Sequence, residues 1–141
     1  MADNTITIVG GLVRDCELKF LNSGISTVKF TLAVEKKWKN KDGEWDKKVS
    51  FIDVVQYGKA AENVAATLKK GYRAIVQGTL EQRSWETDDG SKRYVFELIA
   101  ENVGVALTFV TATLHKAEHV SESQSQISNP STSRAFDDSG F

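Results

Sequence analysis

From Val28 to Val34 apolar side chains fall at every second position (Val28, Phe30, Leu32, Val34), with Lys29 and Thr31 between them. That period belongs to a strand that buries one face. It predicts further strands at Thr5–Val13, Val49–Tyr57, Tyr72–Leu80 and Arg93–Ala100. Within Val49–Tyr57, Phe51, Asp53, Val55 and Tyr57 share one face, and Ile52 and Val54 the other. Asn22-Ser-Gly24, Lys41-Asp-Gly43 and Asp88-Asp-Gly90 read as turns between arms. Gly10-Gly11 marks a bulge or bend in the first strand. After Gly58 the period changes. Ala60, Ala61, Val64, Ala65 and Leu68 follow helical spacing, and Gly71 supplies the stop of a short helix. Val103–Leu114 is a further extended, apolar-rich segment expected to complete the sheet. Phe30, Tyr72 and Phe96 alternate in phase with aliphatic neighbours and are expected in the core.

Three strands, a helix and two more strands is the chain order of the five-stranded OB barrel, an all-β fold with one short helix. A jelly roll needs more strands, and an immunoglobulin-like sandwich places no helix in the middle. OB barrels hold oligonucleotides or oligosaccharides on one face and in their loops. The fold alone does not choose between them.

Composition separates the chain into three parts. Residues 1–115 form the barrel domain. Residues 116–133 are a Ser/Gln-rich linker with too little apolar surface to order itself, hence a disordered C-terminal tail. Residues 134–141 (Arg-Ala-Phe-Asp-Asp-Ser-Gly-Phe) end in paired acids and a terminal aromatic. The length of 141 residues suits one domain with a real core. The first residues lack the basic and apolar stretches of a secretory signal, and no apolar run is long enough to span a membrane. A single cysteine, Cys16, excludes an internal disulfide and a thiolate metal cage. The expected compartment is the cytoplasm, with no membrane partner.

Formal net charge is -1. Two of the 18 basic and four of the 19 acidic residues lie from Lys116 onward, so the barrel region carries +1. Six lysines and four acids crowd between Glu35 and Lys48, so any field that attracts a polyanion is local.

Catalytic constellations are thin. His115 and His119 are four apart, but no carboxylate or thiol is spaced to complete a metal site with them. Cys16 reads as a buried, inert thiol, and Asp88-Asp89 before a glycine as a solvated turn. No glycine-rich phosphate loop occurs. The chain reads as a binding protein without cofactor, metal or enzymatic activity.

The aromatic residues carry more. Trp38 lies in Lys36-Lys-Trp-Lys-Asn-Lys41, and Trp85 in Arg83-Ser-Trp-Glu at the foot of a hairpin; neither joins an aliphatic alternation. Exposed indoles among cations suit bases stacking on rings while ammonium groups track phosphates. The alternative is that each indole caps the barrel mouth or an oligomer interface. Phe51 and Tyr57 share a strand face and fit platform or core equally.

Several stretches together carry a resemblance: Ile6-Thr-Ile-Val-Gly-Gly-Leu12, Glu17-Leu-Lys-Phe20, Phe30-Thr-Leu-Ala33, Val54-Val-Gln-Tyr-Gly-Lys59, Ala61-Glu-Asn-Val-Ala65, Lys70-Gly71 and Gln82-Arg-Ser-Trp-Glu86. In order and spacing the chain resembles bacterial-type single-stranded DNA-binding proteins over about residues 4 to 114. Ala60-Ala-Glu-Asn-Val-Ala65 with Thr5-Ile-Thr-Ile-Val9 is most similar to actinobacterial members or phages of such hosts. The resemblance implies stacking at Trp38, Phe51, Tyr57 and Trp85, and phosphate contacts at Lys19, Lys36, Lys37, Lys59, Lys70 and Arg83. It also implies a homotetramer that protects single-stranded DNA in replication, recombination and repair. Replication and repair proteins would bind the tip through Asp137, Asp138 and Phe141.

The chain departs from the family pattern in places. Phe51 stands where several relatives carry tryptophan, Tyr57 where phenylalanine is usual, and Glu81 at a position often basic. Cys16 replaces a turn proline and Gly11 an asparagine. The tip lacks the penultimate proline and has fewer acids. Two rival readings are a restart accessory that acts mainly as a scaffold, and an OB module for structured RNA or oligosaccharide.

Overall fold

The computed structural model describes residues 3–117. Its elements are β1 (Ile6–Leu12), β2 (Glu17–Phe20), β3 (Ser26–Lys39), β4 (Trp45–Tyr57), α1 (Lys59–Thr67), β5 (Arg73–Glu86) and β6 (Lys92–Val105). Strands neighbour one another in the order β1-β5-β6-β4-β3, and β3 returns to β1 through Gly11↔Ala33 and Leu12↔Leu32. Five strands therefore close on themselves. β2 lies further along the same edge of β3, pairing from Glu17↔Lys29 to Phe20↔Ser26, so β1 and β2 act as one interrupted strand. All neighbours are antiparallel except β4 and β6, which run parallel at Val54↔Leu98 and Val55↔Ile99. This is the expected five-stranded OB barrel with one short helix.

The alternating residues fill the barrel. Val28, Leu32, Val54, Val76 and Leu98 are fully buried, with Leu12, Phe30 and Ala74 around them. Each buried valine, leucine or phenylalanine contributes about 1.5–3 kcal/mol on leaving water. Helix α1 presents Ala61 and Val64, with Leu68 just past its end, to the same core. Glu62 accepts a 2.6 Å hydrogen bond from the Ser26 hydroxyl and ties the helix to β3. Gly71 does not cap the helix directly. It has φ 89° in the Lys69–Tyr72 turn, where the Tyr72 N–H donates to the Lys69 carbonyl at 3.0 Å.

Two glycines permit closure. A Cβ on Gly10 would stand 2.7 Å from the Ala33 carbonyl oxygen, where β1 bends from β5 toward β3. The expected bend is found there. The ladder irregularity lies instead on β5, between Gln77 and Gly78, where a Cβ on Gly78 would collide with the Ile99 carbonyl.

Three expectations are corrected. Phe96 has the core phase but is 58% exposed, because β5 and β6 continue past the barrel as a projecting hairpin. Tyr72 is also exposed, since it sits in the turn before β5 begins. Val103–Leu114 is not a further strand: Val103–Val105 finish β6, pairing ends at Val105↔Ala74, and Ala106 makes one last 2.8 Å bond to the Arg73 carbonyl. β5 has no backbone left to pair with residues beyond Ala106, and Leu107, Phe109 and Val110 are exposed.

By its contacts the chain divides at Thr111 and Ala112 into two units. Of the second, residues 112–117 are described, and they hold neither helix nor strand. From residue 118 on, the linker, His119 and the tip residues Asp137, Asp138 and Phe141 lie outside the described residues.

Candidate nucleic-acid interface

Side chains opposite one another across a ladder point to the same side, and neighbours along a strand point to opposite sides. The β3–β4 register runs without a break from Thr27↔Tyr57 to Lys39↔Trp45. Val28, Phe30, Leu32 and Val54 define its inner side. Its outer side therefore carries Tyr57, Val55, Asp53, Phe51, Val49, Lys47 and Trp45 from β4. From β3 it carries Lys29, Thr31, Ala33, Glu35, Lys37 and Lys39. Phe51 is 66% and Tyr57 50% exposed, so both lie on the outer surface rather than in the core. Lys19 on β2 is opposite Thr27, which is opposite Tyr57, so the backbones of Lys19 and Tyr57 lie two strands, about 10 Å, apart.

The outer side of β5–β6 continues the surface. Trp85 is opposite Arg93 near the end of the hairpin and is 43% exposed. The Arg83 guanidinium lies 4.9 Å from the Trp85 ring centroid, and its Nε donates to Glu97 at 3.3 Å. Glu81 and Glu97 face each other directly, a repulsive pair that Arg83 offsets. Between the two hairpins a hollow of about 220 Å³ is lined by cations and acids together, Arg14, Lys29 and Arg83 against Glu17, Asp53 and Glu97. Thr31 donates to Asp53 at 2.8 Å and holds that carboxylate in place. A polyanion crossing this seam meets acids already engaged by cations or hydroxyls.

Not every expected residue joins this surface. Trp38 is opposite Asp46, on the side of the hairpin that continues the core, with Lys36 and Lys48. It joins the alternation through Val34 after all, but the arm has left the barrel there and the indole is 38% exposed. Lys59 begins α1 and Lys70 lies in the loop after it, where its N–H donates to Asp15 at 2.8 Å. Lys19 is ion-paired with Glu17 at 2.8 Å, which raises the lysine's pKa and lowers the glutamate's. Lys37 and Lys47 share Glu35 at 3.9 and 4.0 Å. All these pairs are exposed and weak.

Sequence reasoning missed Trp45, which is 69% exposed with the Lys39 ammonium 5.6 Å from its ring centroid. The signal was present, since Trp45 is in phase with Phe51 and Tyr57. Tyr94 and Phe96, opposite Ser84 and Gln82, are exposed on the inner side of the other arm. Cys16 is half-buried, and its thiol is pushed up by burial, with Lys69 opposing and Asp15 adding to the shift. Among the described residues no three His, Cys, Asp or Glu side chains gather as a metal site. No helix among them is long and apolar enough to cross a membrane.

A closed OB barrel with rings and cations spread over its outer sheet defines an oligomer-binding class of protein. Comparison narrows the class. The family model described as "Single-strand binding protein family" matches residues 3–106. A Mycobacterium leprae protein named single-stranded DNA-binding protein is 44% identical over 117 residues, covering 82% of this chain and 70% of its own. A Corynebacterium glutamicum protein of the same name is 42% identical over 118 residues, 82% of this chain and 52% of the relative. A Plasmodium falciparum structure described as an SSB complex with ssDNA superposes with TM-score 0.68 at 25% identity, covering 75% of this chain and 97% of that one. The chain belongs to the single-strand binding protein family, in its bacterial, actinobacterial type. The relatives are named for binding rather than for a reaction, and this chain is a non-enzymatic binding protein.

Proposed function

We propose that this protein binds single-stranded DNA without regard to sequence, holding it unpaired on the outer sheet of the barrel. The observation that carries the reading is the exposure of Phe51, Tyr57 and Trp85 on that sheet, interleaved with Lys19, Lys37 and Arg83. Bases stack on the rings, which accept any base because every base has a flat face. Trp38, with Lys36 two residues before it on the same side, serves the inner side of the projecting arm, so a strand rounding the hairpin meets rings on both sides. Lys59 and Lys70 take phosphates leaving the barrel near α1. Family membership and the DNA named in the Plasmodium complex support this ligand over oligosaccharide.

The protein acts in DNA replication, recombination and repair in the cytoplasm. It assembles as a homotetramer and recruits replication and repair proteins through Asp137, Asp138 and Phe141. Titration with oligo-dT, with duplex DNA as competitor, tests the binding. Tryptophan fluorescence is expected to fall as oligo-dT is added, and preference for the duplex would refute the reading. Light-scattering mass tests the tetramer. Deleting residues 136–141 should spare DNA affinity and abolish partner pull-down.

A further inference from the structure

Three observations converge at the end of the β3–β4 hairpin. The Trp45 ring is 69% exposed although it sits in a regular ladder, with no core to cover it at that distance from the barrel. Lys37, Lys39 and Lys47 share its side of the hairpin, and Lys39 lies 5.6 Å from its ring centroid. An open hollow of about 530 Å³ is lined by Lys37, Trp45, Asp46 and Lys47.

We propose that Trp45 and Lys39 form an additional nucleotide-binding station at the hairpin tip, where one base stacks on the free face of the indole and Lys37 and Lys47 meet the flanking phosphates. The inference rests on the single-stranded DNA reading above and lengthens its track. Tyr57, Phe51 and Trp45 are spaced six residues apart on one side of β4, so each step along the strand is about 20 Å. The tip station extends the outer path as far beyond Phe51 as Phe51 lies beyond Tyr57. Lys39 occupies one face of the ring, which leaves the other for a base.

The hairpin turn holds the station without help from a ligand. Asn40 accepts the N–H groups of Asp42 and Glu44 through its side chain at 2.9 and 3.0 Å, and its own N–H donates to the Glu44 carbonyl at 2.8 Å. The Lys39↔Trp45 register is thereby fixed directly beside the turn.

The test uses the full chain and a labelled long oligo-dT, read by fluorescence anisotropy at moderate salt. Trp45→Ala should weaken binding at least about fivefold, the lower end of what one stacked base contributes. Trp45→Phe, which keeps a ring, should fall between Trp45→Ala and the unaltered chain. The dependence of affinity on salt should stay unchanged in Trp45→Ala and become shallower in Lys47→Met. A loss smaller than about fivefold in Trp45→Ala, with the unaltered chain binding well, would overturn the tip station and leave single-strand binding standing. Failure of the unaltered chain to bind oligo-dT would overturn the functional reading, and the station with it.

Discussion

Arg83 lies over the ring of Trp85, its guanidinium carbon 4.9 Å from the ring centroid. The same side chain donates to Glu97 at 3.3 Å, so cation and ring are positioned together before any ligand arrives. On the proposed reading, a base stacked on Trp85 would take the open face, beside the guanidinium.

Replacing Arg83 by methionine should therefore do two things. It should weaken oligo-dT binding, and it should reduce the slope of log affinity against log salt by about 0.7, one phosphate contact on a single strand. Titrations at several salt concentrations check this. An unaltered slope would remove Arg83 from the phosphate track.

Phe51 and Tyr57 differ from Arg83 in carrying no charge. Phe51→Ala and Tyr57→Ala should each cost about 1–3 kcal/mol of binding with no change in the salt slope. Both rings are exposed, so thermal stability should stay near that of the unaltered chain. A variant that lost stability but not affinity would reassign its ring to packing.

Gly78→Ala probes the barrel rather than the ligand. The added methyl would meet the Ile99 carbonyl at the irregularity in the β5–β6 ladder. Backbone cannot yield there cheaply, so a loss of about 1–3 kcal/mol or more is expected in urea unfolding. An unchanged midpoint would mean that β5 shifts register to accept the methyl.

Burial raises the Cys16 pKa above its ordinary value, so the folded chain disfavours the thiolate. Alkylation by iodoacetamide near pH 8 should be slower in the folded protein than in urea. The thiol's contribution to stability is complete below its unfolded pKa and is lost as pH rises through the higher folded value. Stability should therefore fall at strongly alkaline pH less steeply in Cys16→Ser.

The core was legible because Val28, Phe30, Leu32 and Val54 alternate with polar or outward residues, a contrast that burial on one side alone produces. Phe96 has the same phase as Leu98, yet one is exposed and the other fully buried. The difference is where the barrel ends along β6, which depends on the other strands and leaves no local mark. Trp45 was missed for a related reason. Between Phe51 and Trp45 the outer positions are Val49 and Lys47, so no apolar alternation carries the eye to the ring. Charged flanks singled out Trp38 and Trp85, but not the side of the hairpin on which each stands. Only the register of β3 against β4 puts Trp38 across from Asp46 and apart from Phe51.

The ladder between β4 and β6 holds only two residue pairs, whereas each strand belongs to a hairpin with a far longer ladder. Beyond that narrow seam, both hairpins become free-standing two-stranded ribbons, which are marginal in water without a third strand. Amide protons around Lys37 and Ser84 should therefore exchange with solvent well before those of Leu32 and Leu98. The barrel behaves as a rigid wrist bearing two compliant fingers, and a polymer of irregular path can be gripped without disturbing the hydrophobic interior.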